Sequence, residues 1–214
     1  MSHQQDTRVD IVEVAVRPAL DAATAAAIID EAATHAAGAA GDLLRSGVHH
    51  YHDVAGDESR LFLYPTQGAR GAGDPQIVES GIKALSEAAS ARGLATRPTS
   101  GTRRSAVGPT SARPSAHLFV VQLSPSEEWV AEFRRWLDEE HFVRQCGMAG
   151  VQAVAGYESI TSATSFLNVW DIAAPELIDS PEWLAIRNTE WWERVAPAFG
   201  SGELRRAILS RVDA

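Results

Sequence analysis

Cysteine is almost missing from this sequence: Cys146 is the only one in 214 residues, so no disulfide can form within the chain. A reducing compartment is the setting that fits, and a cytoplasmic protein is expected. Lysine is equally scarce, with Lys83 standing alone among arginines. No apolar run approaches the roughly 18–20 residues of a membrane span. The segment Met1–Asp6 has neither the basic region nor the apolar core of a secretory signal. An excess of positive charge is absent too. The formal charge of −9 argues against a nucleic-acid or anionic-membrane partner, both of which need clustered basic groups. The pairs Arg103–Arg104, Arg134–Arg135 and Arg205–Arg206 are scattered among acids and are expected on a solvated surface. There is no Gly-x-Ser-x-Gly elbow. The glycine-rich run Gly68–Gly73 lacks the Gly-Lys-Ser/Thr that phosphate binding requires. Cys146 has no catalytic signature around it and reads as an inert thiol.

What is present is a regular succession of elements. Residues 9–16 alternate and then run apolar, a strand ended by Arg17-Pro18. Asp21 can cap an alanine-rich helix over 22–45 that Gly38 and Gly41 should break or bend. Residues 48–54 and 60–64 read as two strands around a turn. Asp74-Pro75 then opens a helix with its apolar stripe at Ile77, Ile82, Leu85 and Ala88, ended by Gly93. Within 97–115, rich in Pro, Gly, Ser and Thr, Arg103–Val107 can form a short last strand and the rest reads as linker.

The same order then repeats. His117–Leu123 is a strand, Ser124–Glu128 starts a helix, and Trp129, Phe133, Trp136 and Leu137 recur at helical spacing. Strands follow at Val151–Tyr157 and Ser165–Ile172. Ser180-Pro181 opens one more helix through Trp191 and Val195, and Leu204–Val212 closes the series. The halves match in order and punctuation: Gly47-Val48 with Gly150-Val151, Asp74-Pro75 with Ser180-Pro181, Arg103-Arg104 with Arg205-Arg206. An internal duplication explains this most simply. The expected fold is α+β: two tandem ferredoxin-like β-α-β-β-α-β units (8–108 and 116–213, joined by a 109–115 linker) whose antiparallel sheets face each other as an intramolecular α+β barrel. Such an arrangement covers the sheet face that the helices leave bare and can enclose a cavity. Further homodimerisation stays open.

Phe133-Arg134-Arg135-Trp136-Leu137-Asp138-Glu139-Glu140-His141, then Gly147-Met148-Ala149-Gly150-Val151 and Gly156-Tyr157, resembles the EthD-like branch of the dimeric α+β-barrel superfamily. Phe166–Asp171, Leu177–Trp183 and Thr189-Glu190-Trp191 resemble it as well. The resemblance covers about residues 116–212, whereas the first half matches in element order alone. Ala149 replaces the usual proline, and Gly156 stands where arginine is common. The superfamily includes lyases, isomerases, polyketide cyclases, cofactor-independent monooxygenases and haem enzymes, so the resemblance implies the fold more sharply than the reaction.

His141 is the first candidate for chemistry. It lies four residues after Leu137 and eight after Phe133, on the inward helix face, and an imidazole suits acid/base work. Glu139 or Glu140 could orient it. The plainer reading is a helix-end histidine satisfying terminal carbonyls. The second candidate is His49-His50-Tyr51-His52-Asp53. On a strand His50 and His52 share one face, while His49, Tyr51 and Asp53 share the other. These residues either line a cavity or form the wet face of an edge; His50 and His52 could also ligate a metal if a third ligand joined them. The tryptophans are mostly core, but Trp170 and Tyr157, on strands, are placed to wall an apolar pocket.

These features predict an enzyme with no metal or organic cofactor that holds a small hydrophobic, aromatic or polyketide-like ligand. Elimination, hydration, cyclisation or isomerisation would run on histidine acid/base chemistry. His141 or His50 would be the base, with His52 beside it. Tyr51 or Tyr157 would steady an oxygen, and Trp170, Trp136 and His49 would complete the lining. The alternatives are a non-catalytic binding protein for such a ligand, or a haem- or metal-dependent oxygenase.

Overall fold

The computed structural model describes residues 9–64, 73–108, 115–160, 165–200 and 202–212, which fall into two compact units. The expected linker, apart from Ser115, and most of the glycine-rich run lie outside the described residues. The first unit runs through Thr102 and takes in Arg211 and Val212; the second spans Arg103–Ser210.

In the first unit, β1 (Ile11–Arg17) is followed by helices α1 (Ala22–Ala36) and α2 (Gly38–Gly47). Strands β2 (Val48–Asp53) and β3 (Ser59–Leu63), helix α3 (Pro75–Ser90) and strand β4 (Ala95–Val107), whose residues from Arg103 on count with the second unit, complete it. β1 pairs antiparallel with both β3 and β4, and β3 pairs with β2, so the strands lie in the order β4-β1-β3-β2. Period-two alternation divides the sheet. Val12, Val14, Val16, Leu61 and Leu63 pack against Ile28, Leu44, Val78 and Leu85 of the helices. Each such buried side chain contributes about 1.5–3 kcal/mol. Caps begin the helices where expected: the Asp21 carboxylate accepts from the Thr24 N–H, and Asp74 accepts from Gln76 ahead of Pro75.

The alanine-rich helix is broken at Ala37 and Gly38, both with positive φ. Gly41 has a different task. A Cβ there would overlap the Ala33 carbonyl oxygen, so its missing side chain lets α1 and α2 approach closely. β4 corrects the sequence reading, since what looked like linker is strand from Ala95 onward. Pro98, Ser100 and Gly101 erase the strand signature, yet all three hold register opposite Val14, Val12 and Ile11. A strand accepts proline where its missing N–H is not needed by the ladder.

The second unit repeats the plan. β5 (His117–Ser124), α4 (Glu127–Trp136), one π-helical turn (Leu137–His141) and α5 (Phe142–Cys146) come first. β6 (Val151–Ser159), β7 (Phe166–Ile172), a 3₁₀ turn (Pro175–Asp179), α6 (Pro181–Ala185), α7 (Glu190–Val195), a second 3₁₀ turn (Ala196–Gly200) and β8 (Glu203–Arg211) follow. Its strand order is β6-β7-β5-β8. Read from the other edge, this is the same fourth-first-third-second order as in the first unit. The single helix expected after Ser180 is instead two short ones, because Thr189 caps a fresh start by accepting from the Trp192 N–H at 2.9 Å. No helix among the described residues is long and apolar enough to cross a membrane.

Candidate active site

In the first unit, His50 and His52 point to the helix-covered face of β2, as their registers with Leu61 and Ser59 require. His50 is buried, with Nε2 3.0 Å from Ser59 Oγ, and its ring meets that of His52 edge-on at 4.9 Å. His52 Nε2 meets the Leu20 carbonyl oxygen. Burial, reinforced by the neighbouring His52, pushes the His50 pKa down to about 4, so it is neutral at physiological pH. His49 and Tyr51 occupy the opposite face. Tyr51 is buried edge-on against Phe62, and His49 tilts against Tyr64. Among the described residues no group of three His, Cys, Asp or Glu side chains is arranged to hold a metal ion.

The second unit contains a cavity of about 30 Å³ between its sheet and its helices. Phe119, Val121, Asn168 and Trp170 form the floor on β5 and β7. Phe133, Trp136, Leu137, His141 and Gln145 descend from α4, the π turn and α5, while Trp183, Arg187, Trp192 and Phe199 come from the segment after Ser180. Arg206 of β8 completes the wall. The space thus lies on the helix-covered face, not on the bare face where a cavity was expected. Tyr157 shares register with Leu167 and so faces away from Trp170, which pairs with Val154. It is buried but does not line this cavity.

His141 sits at the centre of the arrangement, 9% exposed. The expected helix end is absent: the chain winds on through Cys146, and His141 closes the π turn in its middle. The Phe142 N–H donates to the Leu137 carbonyl, the i to i+5 bond of a π turn. At 3.6 residues per turn, positions 136 and 141 would lie about 140° apart around an α-helix. The wider turn brings them to one face, and the imidazole stacks on the Trp136 indole with centroids 4.0 Å apart and planes 27° from parallel. Its Nδ1 is buried without a hydrogen-bond partner among the described residues. Desolvation, with the nearby charges of Arg187 and Arg144, pushes its pKa down to about 3. The ring is therefore neutral at pH 7 and offers a lone pair.

The acids beside His141 do not orient it. Asp138 pairs with Arg104, Glu139 lies 3.5 Å from Arg135, and Glu140 accepts from the Thr189 hydroxyl at 2.7 Å. That last bond ties the π turn to the cap of α7, which carries Trp192 over the cavity. Trp170 is fixed by a 2.7 Å hydrogen bond from its Nε1 to Gln145 Oε1. Arg104 corrects the expectation of a solvated surface: only 14% of its side chain is exposed, and Glu158 lies 3.4 Å away as well. Gly156 belongs to the same corner. A Cβ there would come within 2.8 Å of the Phe142 ring and 3.2 Å of the Arg104 guanidinium, so an arginine from β4 fills the space beside a strand glycine. Cys146 is half-buried, and burial raises its thiol pKa.

Sequence reasoning had not reached Asn168, Gln145, Arg187 and Arg206 as site residues. Two of them left a signal. Asn168 breaks the apolar alternation Phe166-x-Asn168-x-Trp170, and Arg206 does the same between Leu204 and Ile208. Asn168 is a polar residue on the buried parity of its strand, where the core changes character, whereas Arg206 is exposed.

No protein-family model and no curated protein matches the chain. Solved structures do share its fold. An anthrone oxidase-like protein is 10% identical with a TM-score of 0.54, over 98% of this chain and 93% of its own. A ferredoxin-fold protein from Listeria monocytogenes, related to antibiotic biosynthesis monooxygenases, is 10% identical with a TM-score of 0.50, over 96% of both chains. A major regulator of staphylococcal pathogenesis is 8% identical with a TM-score of 0.52, over 94% of this chain and 99% of its own. At these identities the shared property is the fold, which is α+β and ferredoxin-like along the chain.

Proposed function

We propose that the second unit is the catalytic half of a tandemly duplicated, EthD-like protein, and that it performs proton-transfer chemistry on a small aromatic or polyketide-like molecule. The observation that carries this reading is the buried, neutral His141 imidazole, with an unpartnered nitrogen, on the wall of an aromatic cavity. In this scheme His141 takes a proton from a carbon acid or phenol held against Trp170 and Trp136. The proton returns to another carbon in an isomerisation or cyclisation, or leaves with hydroxide as water in a dehydration. The aromatic walls exclude bulk water from the ionised intermediate. A ring-sized ligand needs more room than the present 30 Å³. Arg187, Trp192 and Phe199 are the wall residues set to yield, being half-buried and carried on a turn and two short helical pieces. We assign His50, Tyr51 and His52 of the first unit a structural part, since two of the three already bond Ser59 and the Leu20 carbonyl.

A second reading shares the first step. The fold-mate described as anthrone oxidase-like makes oxygenation of an anthrone-type carbanion a natural extension, with dioxygen as the co-reactant after His141 has removed the proton. Anthrone in D₂O tests both readings. Hydrogen–deuterium exchange at its acidic methylene should be accelerated by the full chain and not by His141→Gln. Uptake of dioxygen would separate oxygenation from simple proton transfer. Equal exchange with and without the imidazole would remove His141 as the base. The fold-mate that is a regulator supplies the alternative for that outcome, a binding protein without catalysis.

A further inference from the structure

We infer that the cavity of the second unit recognises an anionic oxygen on its ligand, a carboxylate or an ionised phenol or enol, seated between Arg187 and Arg206. The inference rests on the reading of that cavity as a ligand site and names the class of molecule it takes.

Both arginines line the cavity, Arg187 half-buried and Arg206 exposed at its edge. Neither has a carboxylate within ion-pairing distance among the described residues, although Arg104, Arg134, Arg135, Arg194 and Arg205 of the same unit all do. Arg187 is steadied instead by the Trp192 ring, 5.6 Å from its Cζ, which leaves its donors free for a ligand. Two like charges facing one small space repel each other. Desolvation and the charge of Arg187 together lower the Arg206 pKa, the signature of a positive field awaiting a counter-charge.

Deeper in the cavity a second, independent observation points to a polar ligand, its anionic oxygen facing the Trp136 N–H donor and a hydroxyl or N–H facing the Asn168 acceptor. Trp136 Nε1–H and Asn168 Oδ1 are buried without partners among the described residues, on residues only 1% exposed, alongside His141 Nδ1. Orphaned polar atoms cost about 1–3 kcal/mol each and are retained where a ligand satisfies them. The result is a polarised pocket, with two fork-shaped cations at the rim, one indole donor and one imidazole inside, and aromatic walls between. A planar aromatic acid matches it. The same cations would stabilise the oxyanion that forms when a carbon acid loses its proton to His141. A bound anion would also offset the Arg187 charge that, added to desolvation, keeps the imidazole weakly basic.

Calorimetric titration of the full chain with 2-naphthoate and its neutral isostere 2-naphthamide tests the inference. Naphthoate should bind at least tenfold more tightly at pH 7.5, with the preference shrinking as salt rises, since a charge-assisted bond is worth about 1.5–3 kcal/mol. Arg206→Gln and Arg187→Gln should each erase most of the preference, weakening naphthoate binding far more than naphthamide binding. Arg206→Lys, which keeps charge but not the fork, should fall between. Equal affinity for the two probes, or a preference that survives the double Arg→Gln variant, overturns the anion site while leaving the cavity as a ligand site. Failure of both probes to bind, in a variant-free protein with cooperative thermal unfolding, overturns this inference and the ligand-site reading together.

Discussion

Replacing His141 by phenylalanine should change how the protein responds to acid. In the folded chain the imidazole has a pKa of about 3, against an ordinary 6.5, because burial and the charges of Arg187 and Arg144 disfavour its protonated form. The unfolded chain takes up that proton as soon as the pH falls below 6.5. Stability from this group is therefore complete above 6.5 and is lost as the pH drops toward 3, at about 1.4 kcal/mol per pH unit. By pH 5 the loss reaches about 2 kcal/mol, a large share of a typical folding stability of about 5–15 kcal/mol. Phenylalanine keeps a ring on Trp136 and removes the titrating group. Urea unfolding followed by tryptophan fluorescence at pH 7, 6 and 5 gives the free energies, with wild type and His141→Phe compared at each pH. His50 titrates in both proteins and cancels in the difference. The gap between the two should move by about 2 kcal/mol in the variant's favour from pH 7 to pH 5. An unchanged gap would mean that the imidazole is solvated in the native protein, and the neutral-base argument would fall with it.

The remaining expectations concern packing and the shape of the site. Deleting Glu139, an exposed residue of the π turn, should convert that turn to α-helix and part Trp136 from His141; the tryptophan emission should shift and ligand binding should vanish, while far-UV circular dichroism stays close to wild type. Asn168→Leu should raise stability by about 1 kcal/mol in denaturant melts, because it removes a buried oxygen with no partner among the described residues. Gly41→Ala should destabilise by about 1–3 kcal/mol, since the added methyl meets backbone that cannot swing aside; a change under about 0.5 kcal/mol would contradict the close approach of α1 and α2.

Much of the fold is legible in particular residues. Asp21 and Asp74-Pro75 announce helix starts, and each cap forms as its chemistry demands. The stretch Val-Asp-Ile-Val-Glu-Val shows its two faces by parity, and those faces do divide between the helices and the far side. The repeat of order is visible at Gly47/Gly150 and Asp74/Ser180, and both units carry the same strand order. β4 was hidden because proline, serine and glycine lack strand propensity and pairing with β1 overrides it. The segment after Ser180 reads as one helix because its apolar spacing runs on; the break at Thr189 depends on a cap and on the bond that Thr189 donates to Glu140, 49 positions away.

The site divides in the same manner. His141, Trp136 and Trp170 are distinctive residues on inward parities, so a sequence reading reaches them. Local preference, through helix caps, alternation and turn chemistry, determines the order of elements and which face of each is apolar, because those forces act within a few residues. Tertiary structure alone decided that the cavity opens between sheet and helices, that a π turn stacks His141 on Trp136, and that Arg104 is drawn inward to Asp138. It also set Arg187 and Arg206, from separate elements, around one small space with no acid among the described residues paired to either. Those outcomes depend on which distant surfaces meet, on how much water leaves when they do, and on the charges left facing one another.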